Sequence, residues 1–201
     1  MLSFARDLPN VCTLAGLFAA VLGLYFAIRG SYPAAMIALL WATVFDWSDG
    51  LIARRMNGRT ADQRAIGAQL DSLVDIVSFS VAPALLLLSV GHFSPWFIPG
   101  AFVILATGVI RLSYFNVFGL VNDSTYRGLA LDNNVIVLAL LFVVEPVAGI
   151  TSFAILLYLA LMVLAALNVA PIQTPKLGGR WYYAVILYAL VLTGFYGWQL
   201  A

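Results

Sequence analysis

Long apolar runs broken by short polar stretches dominate the chain. Their approximate limits are 9–28, 33–52, 67–90, 95–117, 131–147, 151–169 and 181–200. About 20 apolar residues cross the hydrocarbon of a bilayer as an α-helix, so the pattern predicts seven membrane helices. The first run is longer than the roughly 7–15 apolar residues of a signal peptide and is read as a membrane helix. Pro9 suits its first turn, where a missing N–H costs nothing. No segment between the runs is long enough to fold alone. The expected architecture is therefore all-α: a polytopic integral membrane helical bundle, with residues 1–201 as a single membrane domain.

Composition sharpens this picture. Of the 201 residues, 63% are hydrophobic and 9% charged, and the mean hydropathy is +1.00. That balance excludes a soluble globular enzyme, a disordered chain and a nucleic-acid binder. The lone Cys12 excludes an intrachain disulfide. The net charge of +1 favours no class of partner, but the placement of the cations gives an orientation. With alternating spans and a cytoplasmic N-terminus, Arg6, Arg54, Arg55, Arg59, Arg64, Arg111, Arg127, Lys176 and Arg180 fall inside or near the inner ends, and only Arg29 falls outside. This is the bias of the positive-inside rule.

The acids do not follow the apolar pattern. Asp46, Asp49, Asp71 and Asp75 lie at the inner ends of the second and third runs. Two like charges 4 Å apart repel by about 4 kcal/mol at an effective dielectric of 20. Four carboxylates in one place need counter-charge, which arginines or bound divalent cations can supply, and magnesium prefers oxygen ligands. Asp46, Asp49, Gly50 and Ala53 share one helix face, as do Gly67, Asp71 and Asp75. A connection of about a dozen residues lets the two faces meet in an antiparallel pair. Acids at such depth are functional by default.

The stretch Asp46-x2-Asp49-Gly50-x2-Ala53-Arg54-x12-Gly67-x3-Asp71-x3-Asp75 resembles the signature of the CDP-alcohol phosphatidyltransferases. The twelve-residue gap is longer than is usual there and is read as a small insertion in the cytoplasmic loop. Leu8-Pro9-Asn10-Val11-Cys12-Thr13, the run from Asp71 to Phe79 followed by Val81-Ala82-Pro83, and Arg111-Leu112-Ser113-Tyr114-Phe115-Asn116 are similar to the serine-accepting branch of that family. One element departs: where those members follow the fourth span with Gly-Leu-Pro, this chain reads Gly128-Leu129-Ala130, then Asp132-Asn133-Asn134.

The resemblance implies a six-helix core over residues 1–170 and an additional C-terminal span at 181–200. It implies transfer of a phosphatidyl group from CDP-diacylglycerol, or a related CDP-lipid, to the hydroxyl of serine with release of CMP. By likeness, two Mg2+ or Mn2+ ions are held, one by Asp46, Asp49 and Asp71 and one by Asp46, Asp71 and Asp75. Asp75 doubles as general base. Pro9, Asp46, Asp49, Gly50, Ala53, Arg54 and Gly67 form the CDP-lipid site, and Arg54 pairs with a phosphate. Arg111, Asn116 and Asp132 are candidates for the acceptor site, with Asn133 or Asn134 beside them. Homodimerisation is expected from the same likeness. Another acceptor, choline or a polyol phosphate, and a cation transporter built on the acids remain as alternatives.

Overall fold

The structure, a computed structural model, describes residues 2–122 and 125–201. Helix α1 is Leu8–Ile28, α2 is Tyr32–Arg55, and α3 runs over Ala61–Val90 with a π-helical turn at Val77–Val81. Helix α4 is Ile98–Phe118, β1 is Thr125–Arg127, and α5 is Asp132–Leu141. Helix α6 is Ile150–Val169, β2 is Gln173–Pro175, and α7 is Trp181–Leu200. Among the described residues, six helices are long and apolar enough to cross a membrane, so the chain is read as an integral membrane protein.

The predicted run 131–147 differs from the other six. Helix α5 ends after ten residues, a 3-10 turn follows at Phe142–Val144, and a short helix at Glu145–Ala148. The reason is Pro146: it has no N–H, and its ring displaces the carbonyl four residues back, at Phe142. The run nevertheless spans the bundle. At one end the Trp47 indole donates to Asp132 (2.8 Å), near the C-terminus of α2. At the other, Phe142 stacks on Tyr32 at the N-terminus of α2, with centroids 5.5 Å apart.

Small residues bring α1 against α2. Thr13, Gly16, Ala20, Gly23 and Ala27 are buried along one face, while Phe18, Val21, Tyr25 and Ile28 are exposed on the other. A Cβ at Gly23 would lie 2.8 Å from the Leu39 side chain, so glycine sets this approach. Helix α3 starts at a capping box in which the Gln63 N–H bonds the Thr60 hydroxyl and the Gln63 side chain returns to the Thr60 N–H. Its π-turn lies beside Pro83. Proline returns no N–H to the carbonyl four residues earlier, at Phe79, and the Asn134 side-chain amide donates to that carbonyl instead (3.0 Å).

Strands β1 and β2 form an antiparallel ribbon with Tyr126 opposite Thr174. It straps the segment before α5 to the end of α6. The Gly128 N–H donates to the Ile172 carbonyl (2.8 Å), the Leu129 N–H to that of Leu167 (2.9 Å), and the Thr174 hydroxyl to that of Gly128 (2.6 Å). Gly128 adopts φ +79°, and a Cβ there would fall onto the Asn168 carbonyl. Only glycine meets both conditions without strain.

Candidate active site

Helical spacing aligns the acids as their sequence positions suggest. Asp46 and Asp49 stand one turn apart near the end of α2, and Asp71 and Asp75 one turn apart on α3. Asp46, Asp71 and Asp75 each offer one carboxylate oxygen, and the three oxygens lie within 4.8 Å of one another. Asp75 Oδ1 is buried and lacks a hydrogen-bond partner among the described residues. Asp49 lies outside this close triplet and accepts a hydrogen bond from the Thr13 hydroxyl of α1. Three convergent hard oxygen donors, one of them buried without a donor facing it, fit a divalent cation.

These acids line a cavity of about 490 Å³ at one end of the bundle. Three cations face it: Arg54 from α2, Arg111 from α4 and Lys176 from the segment after β2. Arg54 Nε donates to the Gly50 carbonyl (3.0 Å), which turns its guanidinium along the end of α2. Arg111 is buried between two aromatic rings, 5.4 Å from the centroid of Phe115 and 5.1 Å from that of Tyr126. No carboxylate lies within salt-bridge distance of it among the described residues. Its planar fork is thus positioned by stacking and keeps its N–H groups for a ligand. Asp132 lines the same cavity and accepts from Trp47 and from the Asn133 amide (3.2 Å). Burial, and then the Arg54 guanidinium, push the Lys176 ammonium below the ordinary lysine range.

The cavity gathers Asp46, Asp49, Gly50, Arg54, Asp71, Asp75, Arg111 and Asp132 from the expected site residues. Pro9, Ala53, Gly67 and Asn116 are not part of its lining. Pro9 is buried, with its carbonyl 3.1 Å from the Thr13 hydroxyl. Gly67 serves close packing, because a Cβ there would lie 2.9 Å from both Asn10 Oδ1 and Arg59 Nη2. Asn116 accepts a hydrogen bond from Ser72 (3.0 Å), between α4 and α3. Asn134 is committed to the Phe79 carbonyl, so of the two asparagines only Asn133 faces the cavity. Arg59, read as an ordinary cytoplasmic charge, pairs instead with buried Asp7 at 2.6 Å and ties the start of α1 to the α2–α3 connection.

Sequence reasoning missed Trp47, Tyr126, Lys176 and Tyr182, which also line the cavity. Tyr182 opens α7 and shares a hydrogen bond with Ser48 of α2 (2.9 Å). The C-terminal helix and the ribbon therefore form one wall of the site. The nearest signal was the glycine pair Gly178-Gly179 beside a lysine, too common a pattern to single out.

The profile of the CDP-alcohol phosphatidyltransferase family matches residues 6–195. The archaetidylserine synthase of Methanothermobacter thermautotrophicus is 38% identical over 112 residues, 55% of this chain and 47% of that protein. A CDP-diacylglycerol–serine O-phosphatidyltransferase of Mycobacterium tuberculosis is 34% identical over 111 residues, 54% of this chain and 37% of its own length. One from Methanocaldococcus jannaschii is 31% identical over 149 residues, 74% of this chain and 67% of that one. The chain spans less than half the length of the first two relatives.

Proposed function

The chain belongs to the CDP-alcohol phosphatidyltransferase family, and from that membership we propose that it transfers a phosphatidyl group from a CDP-lipid, CDP-diacylglycerol or a close relative, to the hydroxyl of serine. The observation that carries the reading is one cavity in which the Asp46–Asp71–Asp75 triplet, Arg54, Arg111 and Asp132 converge at the end of an apolar bundle. The names of the relatives support serine as the acceptor.

Asp46, Asp49, Asp71 and Asp75 would hold Mg2+ or Mn2+, two ions per site, and the bound ions would supply charge neutralisation of the diphosphate. Arg54 and Lys176 bind diphosphate oxygens at the mouth of the cavity. Serine presents an anion, a cation and a hydroxyl. The carboxylate meets the free fork of Arg111, the ammonium meets Asp132, and Asp75 accepts the hydroxyl proton. The serine oxygen then bonds to the phosphorus that carries the lipid. The bond from that phosphorus to CMP breaks, and CMP leaves. The cavity faces the cytoplasm in this reading, with the N-terminus on the same side, and the enzyme works as a homodimer in the bilayer.

The test is incubation of purified protein with CDP-diacylglycerol, Mg2+ or Mn2+, and a panel of labelled alcohols. Phosphatidylserine and CMP in equal amounts are expected, and Arg111→Ala and Asp132→Ala raise the KM for serine while leaving that for CDP-diacylglycerol nearly unchanged. Transfer to choline or a polyol phosphate in preference to serine overturns the acceptor. No CMP release with any alcohol overturns the reaction.

A further inference from the structure

At the π-turn of α3 the Phe79 carbonyl is deprived of its α-helical donor. Pro83 cannot donate to Phe79, four residues before it. The missing donor arrives from another helix: Asn134 Nδ2 of α5, at 3.0 Å. Asn134 is oriented in turn by Asn168 of α6, whose amide donates to Asn134 Oδ1 at 3.2 Å. Both asparagines are about 1% exposed, and Asn168 Oδ1 has no partner among the described residues. A partly satisfied polar pair is a poor way to stabilise a core, because an unpaired buried oxygen is costly and apolar side chains of similar shape would avoid it.

Its location suggests what it does instead. Asn134 lies two residues after Asp132 at the start of α5, and Phe79 one helical turn after Asp75 on α3. Asp132, Asp75 and Phe79 all line the cavity. The Asn134–Phe79 bond is thus a direct polar link between the helix that carries the acceptor anchor and the helix that carries the base. The π-turn is what makes it specific: π-turns commonly mark functional sites within helices, and this one is held by a donor from across the site.

We propose that Asn134, oriented by Asn168, is a positioning residue that sets the spacing between Asp132 and Asp75 through the Phe79 carbonyl. The roles of Asp132 and Asp75 rest on the function proposed above. A displacement of about 1 Å between bound reactant and catalytic group can cost about 100-fold in rate. Asn134→Leu therefore lowers kcat by about that factor, with the KM for CDP-diacylglycerol nearly unchanged.

Pro83→Ala separates positioning from simple satisfaction of the carbonyl, because alanine returns an N–H to Phe79 from within α3. The double variant Asn134→Leu/Pro83→Ala is expected to regain thermal stability in detergent but not kcat. A normal kcat per folded molecule in Asn134→Leu, or recovery of kcat in the double variant, overturns the proposal. A second measurement needs no substrate. Spin labels at exposed Leu73 and Val137, in a Cys12→Ser background, report the α3–α5 distance by pulsed electron resonance. A shifted or broadened distribution in Asn134→Leu, persisting in the double variant, supports the positioning role. An unchanged distribution overturns it. If the wild-type protein releases no CMP with any alcohol, the functional reading fails and the distance measurement alone decides the positioning role.

Discussion

Asp75 and Asp132 line the same cavity but are held differently. Asp132 accepts from Trp47 and Asn133, which fixes the orientation of its carboxylate. Among the described residues Asp75 Oδ1 has no hydrogen-bond partner, which leaves it open to a cation or a proton. Asp75→Asn keeps the shape and removes both capacities. Turnover should fall by roughly 10²–10⁴-fold from the loss of a general base, while binding of the CDP-lipid, measured by equilibrium titration, is largely retained. Normal turnover would remove Asp75 from the reaction. The four aspartates were legible in the sequence because helical spacing alone puts each pair on one face. Trp47 was not, since an indole near a span end reads as an interfacial anchor and its partner lies 85 residues away. Gly67 was legible as a position for a small residue. Its neighbours, Asn10 and Arg59, come from segments whose approach no local pattern announces.

Element by element, apolar run length placed the helices, and proline decided where they depart from regularity. Pro146 breaks the run after α5, and Pro83 accompanies the π-turn of α3. Both prolines are visible in the chain. Their consequences depend on which groups lie within reach of the carbonyls they leave free, and that is a tertiary fact. The ribbon is a stronger case, because three residues from β1 and three from β2 pair across 45 intervening positions with little strand signal of their own. Gly128 is the joint of that ribbon. Gly128→Ala forces a side chain into a left-handed φ, at about 1–3 kcal/mol, and onto the Asn168 carbonyl besides. Thermal unfolding in detergent should show a destabilised protein. Retained molecules should show a raised KM for serine, because Tyr126 and Asp132 flank the joint. An unchanged midpoint would mean that the strap yields without cost.

At the scale of the whole molecule, an apolar bundle concentrates its charge at one end. Chelation tests that arrangement as a unit. Excess chelator should abolish CMP release, and added Mg2+ or Mn2+ should restore it. Full activity in chelator, with no metal retained by the protein, would contradict a role for the cluster in holding ions. The bundle class was legible because hydropathy acts over whole helices, and the shared end of the acids because Asp46, Asp49, Asp71 and Asp75 fall at the adjoining ends of two successive runs. Less visible was that α7 belongs to the site. Taken as a span appended to a core of residues 1–170, it instead brings Tyr182 to the cavity wall and packs against α2.

The short crossing at α5 bears on how the two proposed substrates, of opposite solubility, would meet. Residues 132–148 run from the Trp47 end to the Tyr32 end in 17 residues, against 30 for α3 beside them. At 1.5 Å per residue this path is about 25 Å long, less than the roughly 30 Å of a typical hydrocarbon layer. Val137, Leu140 and Val147 on it are exposed, so its outer face is left to lipid. The membrane must thin there, or the polar start of the helix must lie below the water boundary. Either would recess the Asp132 end of the cavity below the ends of the longer helices. Under the proposed function, a diphosphate headgroup would then reach Asp75 while its acyl chains stay in the bilayer, and the alcohol would arrive through water.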